Sequence, residues 1–404
     1  MTVPHSAEHP SERPVGPNTG PNAEHSADDT GAIPTVNDTA RAPSEEPAEM
    51  PRRALILGES AMALDLEQAY KRMGFDTRIG AASIAEVFYP GIIVTSGDAE
   101  DTIETVEEVS QRVGAVVAPS VEGCRHTADR MAVRKQANEE LGLPTLDYEF
   151  AATPQEMHDA VERIGYPCVV KAPTSKDGEG FSFVHSDADL ADAWRAADRG
   201  LGQGAVVERY IDFDFEATIL AARSIDPSTG ELATWFCEPI GTRHRDGKLV
   251  ESWQPAPLPE AAMDNARSIA ARIVGALASC GIFSVEMFVS GDDVYFSQVT
   301  PRPSRDGLVT FVTQRINQFD LQARATQRLP IDSTLISPGA VRFLEGHPSQ
   351  AALAAAMAVE EVTVRMLGDG TLVLATADSA AEARQRTDEA VREIYKIDGK
   401  PGEN

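Results

Sequence analysis

Residues 284–307 read SVEMFVSGDDVYFSQVTPRPSRDG. Apolar and polar residues alternate on both sides of Gly291-Asp292-Asp293, so the stretch predicts a β-hairpin with a Gly-Asp turn. Glu286 stands on the first strand and Gln298 at the matching place on the second. Two facing carboxylates would suggest a divalent cation site. One acid and one amide leave the chemistry of the pair open.

Upstream, residues 54–57 form a short apolar run, followed by Gly58 and by ESAMALDLEQAYKRMG, where Met62, Leu66, Ala69, Tyr70 and Met73 recur at helical spacing. FYPGIIVTSG and VGAVVAPS predict two more strands, with a helix over residues 100–113 between them. Residues 50–122 therefore predict a small Rossmann-like parallel α/β domain. The turn after the first strand carries one glycine where a dinucleotide fingerprint needs three, so neither NAD nor FAD is expected. Residues 125–148 have helical character up to LGLPT. YPCVVKAPTSKDGEGFSFVHS reads strand, loop, strand; DADLADAWRAAD is an amphipathic helix; GAVVERYIDFDFEATILAARS returns to strands. Residues 123–332 thus predict an α+β domain. Residues 333–404 offer three strands (AVRFLEG, EVTVRMLG, TLVLATA) and a helix over residues 379–393, a small β-rich C-terminal domain.

The chain has 404 residues, 42% of them hydrophobic, with 36 basic and 63 acidic side chains and a net charge of -27. That charge argues against a nucleic-acid surface and against docking on anionic membranes. No apolar run is long enough to span a bilayer, and the first residues lack the pattern of a signal peptide, so the expected compartment is the cytoplasm. Cys124, Cys168, Cys237 and Cys280 are widely separated and suggest neither a metal motif nor a disulfide framework. Residues 1–49 hold 8 prolines, no aromatic residue and nine acids against two arginines, which predicts a disordered tail.

Lys171 closes an apolar strand beside a loop with two glycines and two hydroxyls, an arrangement that suits polyphosphate and also an ordinary hairpin. In VVERYIDFDFE, Glu208, Arg209, Tyr210 and Ile211 would leave a strand as a connection whose backbone could pair with an adenine edge. Glu216 could accept from ribose hydroxyls.

Taken together, RKQANEELGLPT, IGYPCVVKAP, FDFE, DGKLVESWQP, GIFSVEMFV and PRPSRDGLVT resemble the ATP-grasp superfamily. Within it the chain is similar to the formate-dependent phosphoribosylglycinamide formyltransferases, and more distantly to carboxyaminoimidazole ribonucleotide synthases. The resemblance implies an ATP-grasp fold and an ATP-dependent ligase that activates a small carboxylate, formate in the family, as an acyl phosphate and transfers it to an amine. It implies ATP and Mg2+ as cofactors, and a homodimer. By position, Arg130 and Lys171 would hold ATP phosphates, under a loop of Lys176, Asp177, Gly178, Glu179, Gly180 and Phe181. Glu208 to Ile211 would bind adenine and Glu216 ribose. Glu286 and Gln298 would take the two magnesium-ligand positions, with Arg302 near the transferring phosphoryl group.

Departures from the family concentrate in the acceptor site. A glutamate-leucine pair is replaced by Ala61 and Met62; Glu100 fills a loop position only with an insertion; Arg305 stands in an aspartate slot with Asp306 one residue late. The C-terminal segment that carries a lysine and arginines in the family is missing, leaving Arg365. Gln298 replaces a glutamate and Glu179 a lysine. These changes keep two alternatives open: a ligase of another acid with an amino-acid-like amine, and a catalytically weak nucleotide-binding homologue. Deleting residues 1–49 is expected to leave melting temperature and turnover nearly unchanged. A loss of several degrees in a thermal melt would show that this segment docks on the fold.

Overall fold

A computed structural model describes residues 52–174, 180–245, 247–277, 279–368 and 370–399. The tail of residues 1–49 and the loop residues Lys176, Asp177, Gly178 and Glu179 lie outside the described residues.

The first strand, Arg53–Leu57, lies between Asp76–Gly80 and Ile92–Thr95 in a four-stranded parallel sheet completed by Val116–Ala118. Ala54, Leu55, Ile56 and Leu57 are all fully buried, as a central parallel strand covered on both faces requires. Helix Ala61–Arg72 follows, started by Ser60, whose hydroxyl accepts from the Ala63 amide at 3.3 Å. The sequence pattern gave no sign of Asp76–Gly80, because DTRIG is an edge strand that buries only Thr77. The expected helix over residues 100–113 begins at Ile103, with Thr102 as its cap.

The Lys171 strand belongs to a separate four-stranded antiparallel sheet, ordered Tyr148–Ala151, Ala205–Arg209, Cys168–Lys171, Ser182–Val184. Helices Pro154–Ile164 and Leu190–Asp198 cover it through Met157, Val161, Ile164, Leu190 and Ala193.

The quoted hairpin, Gly281–Ser290 with Asp293–Thr300, forms one edge of a nine-stranded sheet. Strand Phe215–Ile225 lies beside it, followed by Ile240–Arg245 and Lys248–Gln254. Alternation along Phe215–Ile225 separates two faces. Ala217, Ile219 and Ala221 pack with Val285 and Met287 under helix Glu260–Ala276, while Leu220 and Ile282 pack toward helix Gln318–Thr326. Glu216 and Thr218 therefore share the second face. That face also receives the N-terminal unit: the Tyr70 hydroxyl meets Thr326 Oγ1 at 2.6 Å, beside the fully buried Phe319.

The C-terminal strands Gly339–Glu345, Val362–Leu367 and Gly370–Thr376 continue this sheet through the pairing of Lys248–Gln254 with Gly339–Glu345. Glu251, fully buried at that junction, accepts two hydrogen bonds from Arg384 on helix Ala380–Asp398, at 2.9 and 3.0 Å, and pairs with Arg243 at 2.8 Å. Arg384 also lies 4.0 Å from the centre of the Trp253 ring. Arg384→Ala is expected to lower unfolding free energy by about 2 kcal/mol, since it leaves a buried carboxylate with one cation; denaturant melts would measure it.

Candidate active site

Lys171 and Glu208 form a diagonal pair on adjacent antiparallel strands, because Val169 stands opposite Glu208 and Lys171 opposite Val206. Lys171 Nζ donates to Glu208 Oε2 at 2.6 Å, and Arg134 donates to Glu208 Oε1. Arg134 is anchored in turn by the Phe296 carbonyl at 3.0 Å, so the hairpin, helix Arg130–Lys135 and the antiparallel sheet meet at one carboxylate. Burial alone would raise the Glu208 carboxyl, but Arg134, Lys171 and Arg130 outweigh it and hold it down to about 2. Arg130 lies one helical turn before Arg134. Burial lowers its proton affinity, and the carboxylates of Glu208 and Glu286 act against that.

Helical character over residues 125–148 resolves into Val121–Ala128, a break at Asp129, then Arg130–Lys135 and a wider turn at Gln136–Glu140. Asp129 caps the second helix through the Met131 amide at 2.8 Å. The break starts Arg130 at a fresh helix end beside the Pro173 carbonyl, which accepts from its backbone amide at 3.3 Å.

Of the predicted adenine segment, Glu208 turns its side chain to the cations, Arg209 pairs with Asp147 at 2.8 Å, and the Tyr210 ring meets Phe183 edge-on at 5.2 Å. Ile211 is half-buried in the connection between the two sheets. Phe181 lies edge-on to Phe183 at 5.3 Å. Gly180, at φ 73°, closes the loop base by accepting from the Ala172 amide at 3.0 Å. A Cβ there would come 2.6 Å from that of Ala172, so only glycine fits.

A polar row crosses the second face of the large sheet. Gln298 is opposite Glu286, Glu286 is opposite Thr218, and Glu216 is opposite Thr242. Gln298 Nε2 donates to Glu286 Oε1 at 3.2 Å; Thr218 Oγ1 donates to Asp306 Oδ2 at 2.8 Å; His244 Nδ1 meets Glu216 Oε2 at 2.7 Å. Burial and then the neighbouring Asp306 carboxylate raise Glu286 to about 7. Burial likewise raises Asp306, partly offset by His244 and Thr218. Burial alone would depress the His244 imidazole, but its bond to Glu216 and the surrounding carboxylates raise it.

Between this row and the carboxyl ends of the parallel strands lies a cavity of about 530 Å³ that brings together Arg130, Lys171, Gln298 and Arg302. Thr95, Gly97 and Cys124 line its N-terminal side. Glu216, Glu286 and Asp306 are not among its lining residues. Arg302 packs on Gly97 so closely that a Cβ there would lie 2.1 Å from its Nε.

The remaining candidates scatter. Ala61 and Met62 open the first helix half-buried, and Met62 packs into the core. Glu100 is exposed and off the cavity; Asp101 of the same loop lines it, and Asp98 turns to the start of the first helix. Asp98 accepts from the Glu59 and Ser60 amides, both at 2.8 Å, and from Ser60 Oγ at 3.0 Å. Arg305 is exposed over the Phe343 ring, 5.5 Å from its centre, whereas Asp306 is buried. Sequence reading missed Arg134, His244 and Asp98, whose roles come from partners distant in the chain.

A family model described as the ATP-grasp domain matches residues 136–319. A formate-dependent phosphoribosylglycinamide formyltransferase of Corynebacterium efficiens is 41% identical over 375 residues, spanning 83% of this chain and 93% of the relative. That of Corynebacterium jeikeium is 42% identical over 379 residues, 84% of this chain and 92% of the relative. The chain belongs to the formate-dependent phosphoribosylglycinamide formyltransferase family of ATP-grasp enzymes. The solved structure of glycinamide-RNase-transformylase T from Mycobacterium tuberculosis is 31% identical, with a TM-score of 0.72 over 85% of this chain and 99% of that one. A carboxyaminoimidazole ribonucleotide synthase from Aspergillus clavatus, complexed with ATP, shares the fold at 19% identity, with a TM-score of 0.75 over 86% and 99%.

Lys171→Met is expected to abolish nucleotide binding in calorimetry. It has a second signature. A carboxyl held at about 2 against its ordinary 4.5 contributes stability above the upper value, lost as pH falls toward the lower one. Removing one of its cations narrows that gap, so the stability lost between neutral pH and about pH 2 should be smaller in the variant than in the parent, as denaturant melts followed by circular dichroism across that range would measure.

Proposed function

We propose that this enzyme converts formate and ATP to formyl phosphate and ADP, then passes the formyl group to an amine that carries no phosphate. The observation that carries the reading is the cavity where Arg130, Lys171, Gln298 and Arg302 meet at the carboxyl ends of the parallel strands. A formate oxygen attacks the γ-phosphorus, the bond to the bridging oxygen breaks, and ADP leaves. The amine nitrogen then attacks the formyl carbon, inorganic phosphate leaves, and the nitrogen gives up a proton. Lys171 and Arg130 bind the polyphosphate and Arg302 the oxygens of the moving phosphoryl group, since such a transfer needs positioning and fixed positive charge. The Glu208–Ile211 connection takes the adenine edge, and Glu216, oriented by His244, takes the ribose. A carboxylate and an amide oxygen on facing strands are hard donors that suit Mg2+, so Glu286 and Gln298 fit as its holders once the Gln298 amide turns its oxygen inward. Bound there, Mg2+ neutralises phosphate charge.

The acceptor side supports an uncharged or amino-acid-like amine. Asp98 already occupies the amide groups at the start of the first helix, a position that would otherwise attract an anion. Burial alone would raise Asp98, but bonds from Ser96, Glu59 and Ser60 hold it below the ordinary carboxylate range, so it stands there charged. Two cations that could have held a phosphate are engaged elsewhere: Arg365 with Asp65 at 2.8 Å and against the Phe311 ring at 3.7 Å, Lys248 with Glu345 at 2.9 Å. Strands Val362–Leu367 and Gly370–Thr376 are joined with two residues between them, too few to carry a phosphate-binding segment.

Formate-dependent ADP release across a panel of amines, with mass detection of products, is the test. A phosphate-free amine should be formylated, and glycinamide ribonucleotide should react with kcat/KM lower by about a hundredfold or more. Efficient formylation of glycinamide ribonucleotide would overturn the acceptor assignment. No formate-dependent ADP with any amine would overturn the reaction itself.

A further inference from the structure

We propose that Asp306 supplies the second carboxylate of the divalent-cation site, in place of the acid that position 298 does not provide. The inference rests on the ATP-dependent reading above. Its geometric basis is the strand register. Moving across the sheet face, Gln298 lies opposite Glu286, and Glu286 lies opposite Thr218. Thr218 Oγ1 donates to Asp306 Oδ2 at 2.8 Å, so Asp306 reaches the sheet at the residue paired with Glu286. Its backbone is fixed as well, since Ser252 Oγ donates to the Asp306 carbonyl at 3.0 Å at the start of the turn Asp306–Val309.

Asp306 is 8% exposed. Thr218 thus has Glu286 opposite it on the neighbouring strand and Asp306 on its hydroxyl, and two carboxylates brought to one residue repel unless a cation or a proton lies between them. Gln298 cannot supply the missing charge: its amide serves Glu286 as a neutral N–H donor at 3.2 Å. Glu216 is engaged with His244 at 2.7 Å on the next strand, which leaves Asp306 as the carboxylate able to join Glu286. Glu286 with Asp306 restores two negative charges, matching a divalent cation, with the Gln298 oxygen as a neutral third donor. The acid has moved from the hairpin's second strand to the turn that follows it.

The test is Mn2+ binding to the full chain, followed by electron paramagnetic resonance with a non-hydrolysable ATP analogue present, so that no turnover is needed. Asp306→Asn should weaken Mn2+ about tenfold or more, and Gln298→Ala by less than about threefold. The asparagine oxygen can still accept from Thr218, and a thermal melt checks that the fold is kept. Should that variant unfold, Asp306→Ser is held to the same threshold. Parent-like Mn2+ affinity in the Asp306 variant, or a greater loss in Gln298→Ala, would overturn the proposal. Parent-like Mn2+ affinity with a raised KM for the amine would also overturn it, assigning Asp306 to the acceptor. If the parent itself binds no Mn2+ with the nucleotide analogue, the ATP-dependent reading fails together with this one.

Discussion

Glu208 pulls two cations into fixed positions while itself almost wholly removed from water, and the candidate site is arranged around that attraction. Taking a carboxylate out of water costs several kcal/mol, so the charge persists only because Arg134 and Lys171 both reach it. Each cation comes from a different element: Lys171 from the strand beside Glu208, Arg134 from the helix after Asp129. Arg134 also holds the Phe296 carbonyl of the hairpin at 3.0 Å. The pairing therefore sets the distance between the antiparallel sheet and the large sheet. On the proposed reading, a polyphosphate would not have to organise Lys171; it would compete with Glu208 for a lysine already aimed.

The site is divided by charge. Arg130, Arg134, Lys171, Arg199 and Arg302 border the cavity against two acids, Asp101 and Glu208, and Glu216, Glu286 and the turn residue Asp306 stand outside its lining. Gln298 is the residue common to both, lining the cavity while bonding to Glu286. In a chain of net charge -27, a cavity bordered mostly by cations is a local reversal of sign, the electrostatic condition for an anionic ligand. The acids outside its lining form a region where positive charge is needed, which is the electrostatic condition for a cation between nucleotide and sheet.

Much of this was legible in the chain because strands and turns are local. The facing of Glu286 and Gln298 follows from alternation and a tight turn, and the register bears it out despite an irregularity after Glu286. The Lys171 strand and the parallel order of the N-terminal unit were readable for the same reason. Partners distant in sequence were not. Arg134 meets Glu208 across 74 residues, Thr218 meets Asp306 across 88, and Asp98 meets Ser60 across 38. Nor does any local pattern announce that Gly339–Glu345 will pair with Lys248–Gln254, since either strand could have paired elsewhere. The edge strand Asp76–Gly80 stayed hidden because exposure removed the apolar pattern that reveals strands.

The turn after the first strand ends in an internal cap at a helix start, where an anion would otherwise fit. Amides at a helix start attract anions, and in open parallel sheets ligands collect at this edge. Here Asp98 takes that place with three bonds of 2.8 to 3.0 Å, and Ser96 donates to it as well. The fit depends on Gly58: a Cβ there would meet Ser96 Oγ at 2.1 Å and Asp98 Oδ1 at 2.5 Å. At φ 120° that residue also adopts backbone that other residues rarely tolerate. A phosphate approaching this edge would face a charged carboxylate in place of free amides, and would have to displace charge-assisted bonds to gain its own. An amine meets the opposite condition, because the same carboxylate attracts a protonated or hydrogen-bond-donating nitrogen. The packing of Gly58 and Asp98 thus leaves a negative charge at this edge where amides would otherwise stand free, which is the electrostatic ground for the phosphate-free acceptor proposed above.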